Sequence, residues 1–416
     1  MGNTLLTHSM IADRALFDLS NNLIMGQKVF RGYESEFGTP VGGYKKGASV
    51  TIHLPNKFRA KVGATIDKVD VEEPSTTVTV DVQNHIAMDF TETDMTLSVE
   101  DFSRKYINPA TIALANLIDV NGLLEYKNIY NAKGTPGTTP STFGVLANVA
   151  ERFTNESVPL NDRCAIWTPK AKWALADGEL KSVFNPSIVE RMLRRGFSGY
   201  YADMEHYEDQ NVASHTVGTW DAGSTGVMNG ATAEKATSLV TNGWAASTVI
   251  LQKGDIFTIA GVYGVNPVSG IVWEGNQLRQ FVATSQVTSD GAGAATIPIA
   301  PTIISSAANE EDLPYQTVGA LPANGAALTV LGSDATGYSQ NLAFHRDCFA
   351  LTMVPFKKPR SADKSVMWAQ ASDKQMGLSI TVATAFDIDY YFETTRLDIL
   401  YGWDTPRPNL GCRIWG

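Results

Sequence analysis

Cysteine is almost missing from this chain: Cys164, Cys348 and Cys412 are the only three in 416 residues. An odd, widely spaced set excludes a complete disulfide framework, and with no Cys-x-x-Cys pair a sulfur-rich zinc site is excluded as well. A reducing compartment, or indifference to redox, fits that usage. Charge is also sparse, at 18% of residues, and cations are the scarcer sign, with 33 Lys and Arg against 43 Asp and Glu for a formal net charge of −10. Phosphate contact needs surplus cations, so a chain this acidic is a poor general binder of nucleic acid. No uninterrupted apolar run approaches the roughly 20 residues that span a bilayer. The opening residues, Met-Gly-Asn-Thr-Leu-Leu-Thr-His, have neither the basic start nor the apolar stretch of a signal peptide. A soluble protein of about two or three compact units is the expectation.

The familiar catalytic signatures are missing too. Gly43-Tyr-Lys-Lys-Gly-Ala-Ser49 is the nearest approach to a phosphate-binding loop, and its lysines are misplaced. Gly-x-Ser-x-Gly, His-Glu-x-x-His and the calcium loop are absent, and Gly261-Val-Tyr-Gly-Val-Asn fails the dinucleotide fingerprint. His206 stands near Glu205, Glu208 and Asp209, which reads as a solvated acidic turn rather than a cation site. His345 and Cys348 are three apart, a spacing that puts them on opposite faces of a strand and so excludes a nucleophilic pair there. Asp387, Asp389, Glu393 and Asp398 alternate as on the wet side of a strand. The expectation is a protein without catalytic residues, metal or cofactor.

What is present is pattern. From Ser9 to Val29, Ile11, Ala15, Leu16, Leu19, Leu23 and Ile24 draw an apolar helical stripe, either packed on its own domain or reaching to a partner. Thr39-Pro-Val-Gly-Gly43 reads as a bend. The period then changes to two in Ala48–Leu54, Thr76–Val82 and His85–Phe90, which are expected strands. Charge is sorted along this region: Lys45, Lys46, Lys57, Arg59 and Lys61 come without an acid between 44 and 61, and an acidic stretch follows to 101. Such sorting suits either a hairpin with charged, solvated faces or a basic loop docked on an acidic surface of a neighbouring copy, such as Asp89, Glu92 and Asp94. Asn108-Pro109 opens the longest predicted helix, to about Asn131. Further helices are expected at Ser141–Phe153, Pro169–Leu180 and Pro186–Arg195, around a strand at Arg163–Trp167. From Val212 to Phe344, Gly, Ala, Ser and Thr become frequent and short strands recur, among them Thr248–Leu251, Ile256–Ala260, Arg279–Ala283 and Ala295–Ala300. That spacing indicates an all-β insert in an α+β body.

In chain order, several segments together resemble the major capsid (coat) proteins of tailed bacteriophages, in the subgroup with an inserted β-barrel domain. They are Val29–Phe37, Lys46–Pro55, Arg104–Asp119, Arg163–Pro169, Met192–Tyr200, Gly254–Val262 and Leu397-Asp-Ile-Leu-Tyr-Gly-Trp-Asp-Thr-Pro-Arg-Pro408. Thr284–Ser339 matches nothing in that family that can be placed. The resemblance implies an α+β tailed-phage capsid fold with these parts: an N-terminal arm at 1–45, an extended β-hairpin loop at 46–90, a peripheral domain with the spine helix at 91–145, axial-domain segments at 146–211 and 345–394, a β-barrel-like insertion domain at 212–344, and a C-terminal strand at 395–416. It also implies a virion subunit that self-assembles into pentamers and hexamers of an icosahedral shell around double-stranded DNA. Scaffolding and portal proteins are its implied partners, and no membrane is involved. A tail or adhesion component, or a hydrolase built from scattered carboxylates, are the alternatives.

Overall fold

The computed structural model describes residues 8–32, 47–60, 73–90, 103–178, 199–220, 225–356, 366–373, 377–387 and 392–416. Two compact units share the chain. One comprises Met1–His53, Ser75–Leu123 and Phe349–Pro406, the other Leu54–Pro74, Leu124–Cys348 and Arg407–Gly416. The bend at 39–43, the helix expected at 186–195, and Lys45, Lys46, Lys61, Glu92 and Asp94 lie outside the described residues.

In the first unit the leading helix, His8–Asn22, buries Ile11, Ala12, Ala15, Leu16 and Leu19. These pack against the spine helix, Asn108–Leu123, and against strands Val366–Asp373 and Leu378–Asp387. Of the two roles open to this helix, the structure shows packing on its own domain. The sheet is antiparallel, with Leu378–Asp387 between Val366–Asp373 and the long strand Phe392–Asp404. The latter also pairs with Val82–Phe90 and, near its end, with Ala350–Met353. The hairpin Ala48–His53 with Ser75–Val80 lies against the long strand at Gly402. A Cβ there would stand 2.0 Å from the Thr79 carbonyl oxygen, so only glycine allows this approach.

Pro109 near its start and a run of Ala, Leu and Ile explain the spine helix. It ends its α-form at Leu123 and tightens into a 3-10 turn, Leu124–Asn128, a few residues before the expected stop. The whole helical run Arg104–Asn128 is 25 residues, long and apolar enough by length and composition to cross a membrane, yet half of its most apolar window is packed inside the protein. The helix's single charge, Asp119, is buried. Its carboxylate accepts from the backbone N–H of Ile24 at 2.7 Å and of Gly26 at 3.0 Å, joining the chain after the leading helix to the spine.

In the second unit a six-stranded sheet runs Ala132–Lys133, Gly411–Ile414, Asn341–His345, Arg163–Trp167, Met204–Glu208, Gly199–Tyr201. Its three inner strands from Gly411 to Trp167 are buried along their whole length, as the apolar Arg163-Cys-Ala-Ile-Trp167 run requires. Helix Phe143–Asn155 packs on Gly411–Ile414. Helix Pro169–Asp177 starts on Thr168, whose hydroxyl accepts from the Ala171 N–H at 3.2 Å, an N-cap in the usual geometry. Between Ser214–Thr216 and Gly337–Ser339, which pair with each other, the chain leaves this sheet. It builds a second one in the order Leu328–Val330, Ile256–Tyr263, Leu278–Ala283, Ala295–Ile303, Ala236–Asn242, Val227–Met228. The two outer strands are tied by Leu328 N–H to Gly226 C=O at 2.8 Å and Met228 N–H to Ala326 C=O at 2.9 Å. Inside sit Leu239, Trp244, Phe257, Ile259, Phe281 and Ile297. The unplaced stretch 284–339 thus supplies strands to this sheet.

Replacing Asp119 by Ala strands two backbone N–H donors in the interior, at about 1–3 kcal/mol each. Urea unfolding of the full chain is expected to show D119A destabilised by roughly 2–4 kcal/mol; a midpoint equal to wild type would refute the joint.

Candidate assembly surface and the joint of the insert

After Ala48–His53 the chain runs on without regular structure, and the Leu54 N–H donates to the Pro74 carbonyl at 2.8 Å. Two of the basic residues of this loop are described here beyond the strand. Lys57 keeps contact with solvent, yet burial around its ammonium lowers its pKa; its Nζ stands 5.8 Å from the centre of the Tyr315 ring and its backbone N–H 3.4 Å from the Tyr315 hydroxyl. Arg59 donates to Gln316 Oε1 at 3.1 Å. Both partners belong to the insert of the same chain, and neither is a carboxylate. Within the chain, a ring face and an amide oxygen engage them. Asp89 stands exposed on strand Val82–Phe90 and accepts from the Thr394 hydroxyl at 2.7 Å.

Several of the residues weighed for chemistry are held by neighbours within the chain. His206 is buried rather than solvated, stacked near Trp167, whose indole N–H donates to His206 Nδ1 at 2.9 Å. Nε2 faces the Tyr201 carbonyl at 3.1 Å, so the ring proton belongs there. Glu208 pairs with Lys172 at 2.6 Å, Glu205 accepts from the Tyr207 hydroxyl at 2.5 Å, and burial raises the pKa of Asp209. An open hollow of about 450 Å³ lies here, lined among others by Lys172, Tyr200, Tyr207 and Glu208. Cys348 is fully buried, and burial lifts its thiol well above the ordinary range; His345 Nδ1 accepts the Asp347 N–H at 3.2 Å. Asp398 is held by Arg396 at 2.7 Å, and Asp389 lies outside the described residues. Among the described residues no group of three His, Cys, Asp or Glu could hold a metal ion.

The gathering of polar groups that sequence reading missed is where the sheet built between Thr216 and Gly337 meets the six-stranded sheet of Arg163–Trp167. Tyr126 donates to His215 Nδ1 at 2.9 Å, and His215 Nε2 meets Asp255 Oδ1 at 2.7 Å. The other Asp255 oxygen accepts from the N–H groups of Gly218 at 2.9 Å and Gln252 at 2.7 Å. Arg413 lies over the Tyr126 ring, 5.0 Å from its centre, and donates to the Gly254 carbonyl at 2.7 Å. Burial pushes the Tyr126 hydroxyl up to about 12 and the Arg413 guanidinium down to about 10. Beside this group, Arg279 forms a short, fully buried ion pair with Glu156. Burial works against the Arg279 charge, but the Glu156 carboxylate outweighs it and its pKa ends above the usual value. Arg152 and Arg279 stack over Trp273 at 4.1 and 5.2 Å. A dry patch of Tyr130, Ala132, Ile256, Val282 and Trp415 completes the joint.

Burial lowers the His206 pKa from 6.5 to about 4. The unfolded chain therefore binds the proton first, so this contribution is complete above pH 6.5 and is lost as pH falls toward 4. The wild type is expected to lose roughly 3 kcal/mol across that window, and H206Q to show a flatter profile in urea titrations read by tryptophan fluorescence. Parallel profiles for the two proteins would contradict the buried neutral imidazole.

The chain is similar to several known proteins. A relative recorded as a major capsid protein of Acyrthosiphon pisum secondary endosymbiont phage 1 is 20% identical over 393 residues, covering 89% of each chain. Among solved structures, Mycobacterium phage Che8 aligns at TM-score 0.44 and 10% identity over 94% of this chain and 90% of its own. The capsid structure of the cyanophage P-SCSP1u aligns at TM-score 0.40 and 12% identity, over 94% and 88%. The family model described as "P22 coat protein - gene protein 5" matches residues 209–416, half of the chain. The chain therefore belongs to the P22 coat protein family and is a major capsid protein, whose place is the capsid of a phage virion.

Proposed function

We propose that copies of this chain assemble through heterologous contacts into a closed icosahedral shell around double-stranded DNA. The family match over residues 209–416 carries this reading. In its finer form the chain has an N-terminal arm at 1–45, an extended loop at 46–90, a peripheral domain with the spine helix at 91–145, axial segments at 146–211 and 345–394, and a closing strand at 395–416. The insert at 212–344 is a barrel, supported by the hydrogen bonds that tie Gly226 and Met228 to Leu328 and Ala326. Heterologous contacts close rings, and many weak contacts add up to a stable particle. The role is structural rather than catalytic: the buried ionisable groups of the joint serve packing, with Arg279 on Glu156 and Asp255 on His215. Scaffolding and portal proteins are the partners of this reading. Lys45, Lys46, Lys57, Arg59 and Lys61 on one copy, and Asp89, Glu92 and Asp94 on the next, are proposed contacts between subunits.

Negative-stain microscopy of the full chain, alone and with a candidate scaffold, is expected to show closed polyhedral particles. Trimers or fibres would favour a tail or adhesion component instead. Reversing charge at Lys57, Arg59 and Lys61 together is expected to cut particle yield about tenfold; normal yield would remove the loop from the contact.

A further inference from the structure

Strand Val366–Asp373 closes one side of the sheet in the first unit, and among the described residues its backbone has one strand partner, Leu378–Asp387. That pairing runs through all eight residues without a register shift. An open edge of this kind is a template for another chain, and proteins guard it with brevity, charge, proline, a bulge or a covering segment. Elsewhere the larger sheets of this chain use such guards. Ala132–Lys133 is two residues long, and the Gln280 amide donates to the Ala132 carbonyl at 2.9 Å and accepts its N–H at 2.8 Å. The Phe30 backbone lies along Ala350–Met353, donating to the Phe349 carbonyl at 3.2 Å and accepting the Leu351 N–H at 3.0 Å. Val82–Phe90, on the far side of the same sheet, sets His85 and Asp89 out in solvent. Val366-Met-Trp-Ala-Gln-Ala-Ser372 has no charge, no proline and no bulge.

The side chains decide what fits this edge. Residues directly opposed on neighbouring strands share a face of the sheet. Ala369, Val382 and Leu397 therefore lie in one row, as do Met367, Thr384 and Thr395 beside it. Val382, Leu397 and Thr395 are buried, whereas Met367, at the open edge of that same face, is 59% exposed. We infer that Val366–Asp373 pairs antiparallel with the same strand of a second copy, across a two-fold axis at Ala369. Centred there, each larger side chain meets a smaller one: Met367 faces Ala371, Trp368 faces Gln370 and Val366 faces Ser372. The apolar face runs on from one copy to the next, and no charge between 366 and 372 opposes its own image. Centring on Gln370 would set Met367 against Asp373, and centring on Trp368 would leave Ala371 and Ser372 beyond the start of the partner strand. Main-chain hydrogen bonds hold the pair, the mode of strand addition. This pairing rests on the shell reading. Heterologous contacts close rings, and the rings must still be joined to one another, which a self-complementary contact across a two-fold axis does.

The test uses the full chain with one cysteine added, A369C or S372C, the native Cys164, Cys348 and Cys412 being buried. Particles are treated with diamide as oxidant and run on non-reducing denaturing gels. At the centre of the pairing A369C meets its own image, with Cβ atoms about 5 Å apart, so most of that variant is expected as covalent dimer. S372C lies opposite Val366 and is expected to stay monomeric. A charge swap checks the symmetry. A369K or A369E alone is expected to cut particle yield about tenfold, and an equal mixture of the two to restore it, because unlike charges then face each other. Circular dichroism and thermal melts establish that each variant is folded. Particles whose A369C chains remain monomeric, or S372C linking as readily, would overturn the pairing and leave the shell reading intact. Full yield from A369K and from A369E alone, or a mixture of the folded variants that fails to recover, would overturn it as well. A wild type that forms no particles would sink the shell reading, and with it the contact that joins the rings.

Discussion

Charge cannot be left bare in a protein interior, and this chain buries charge where its two six-stranded sheets meet. Arg279 and Glu156, and Asp255 with His215, are shut away from water. Each is tolerable only in the geometry that pairs it, and removing one partner of such a pair costs about 3–5 kcal/mol. The apolar patch of Tyr130, Ile256, Val282 and Trp415 supplies the non-directional attraction at this joint, while the buried polar pairs allow it one orientation. The insert is thus fixed to the sheet that carries it. Its loops, including the Asn266–Ile271 turn, inherit that fixed position.

Fixed position is what a shell subunit requires of a lateral contact. A ring closes only if every copy presents the same surface at the same angle, and small angular errors accumulate around it. The stretch from Leu54 to Ala60 has no regular structure of its own. It gains order from Tyr315 and Gln316 of the insert. Insert and loop therefore act together, the one rigid by its own core, the other rigid by leaning on it.

Much of this was legible in the sequence, and what was not has a common cause. The stripe from Ile11 to Leu19, the alternation in Ser75–Val80 and the apolar Arg163–Trp167 run are local signals, and they became the elements they announced. The strands at Ile256 and Leu278 were equally plain. The joint was not, because its pairs are distant: Glu156 and Arg279 are separated by 123 positions, and Asp255 lies 40 from His215. Nothing near His215 sets it apart from the other histidines. The charge of Lys57 and Arg59 is plain in the sequence, whereas the tyrosine ring and glutamine amide that engage them within the chain lie more than 250 positions away.

A high-resolution reconstruction of the assembled particle bears most directly on the claim that a rigid insert presents a ready-made lateral surface. The account predicts that the Arg279–Glu156 and His215–Asp255 pairs keep their present geometry in every copy. A map in which the insert has turned on its sheet with those pairs broken would contradict it.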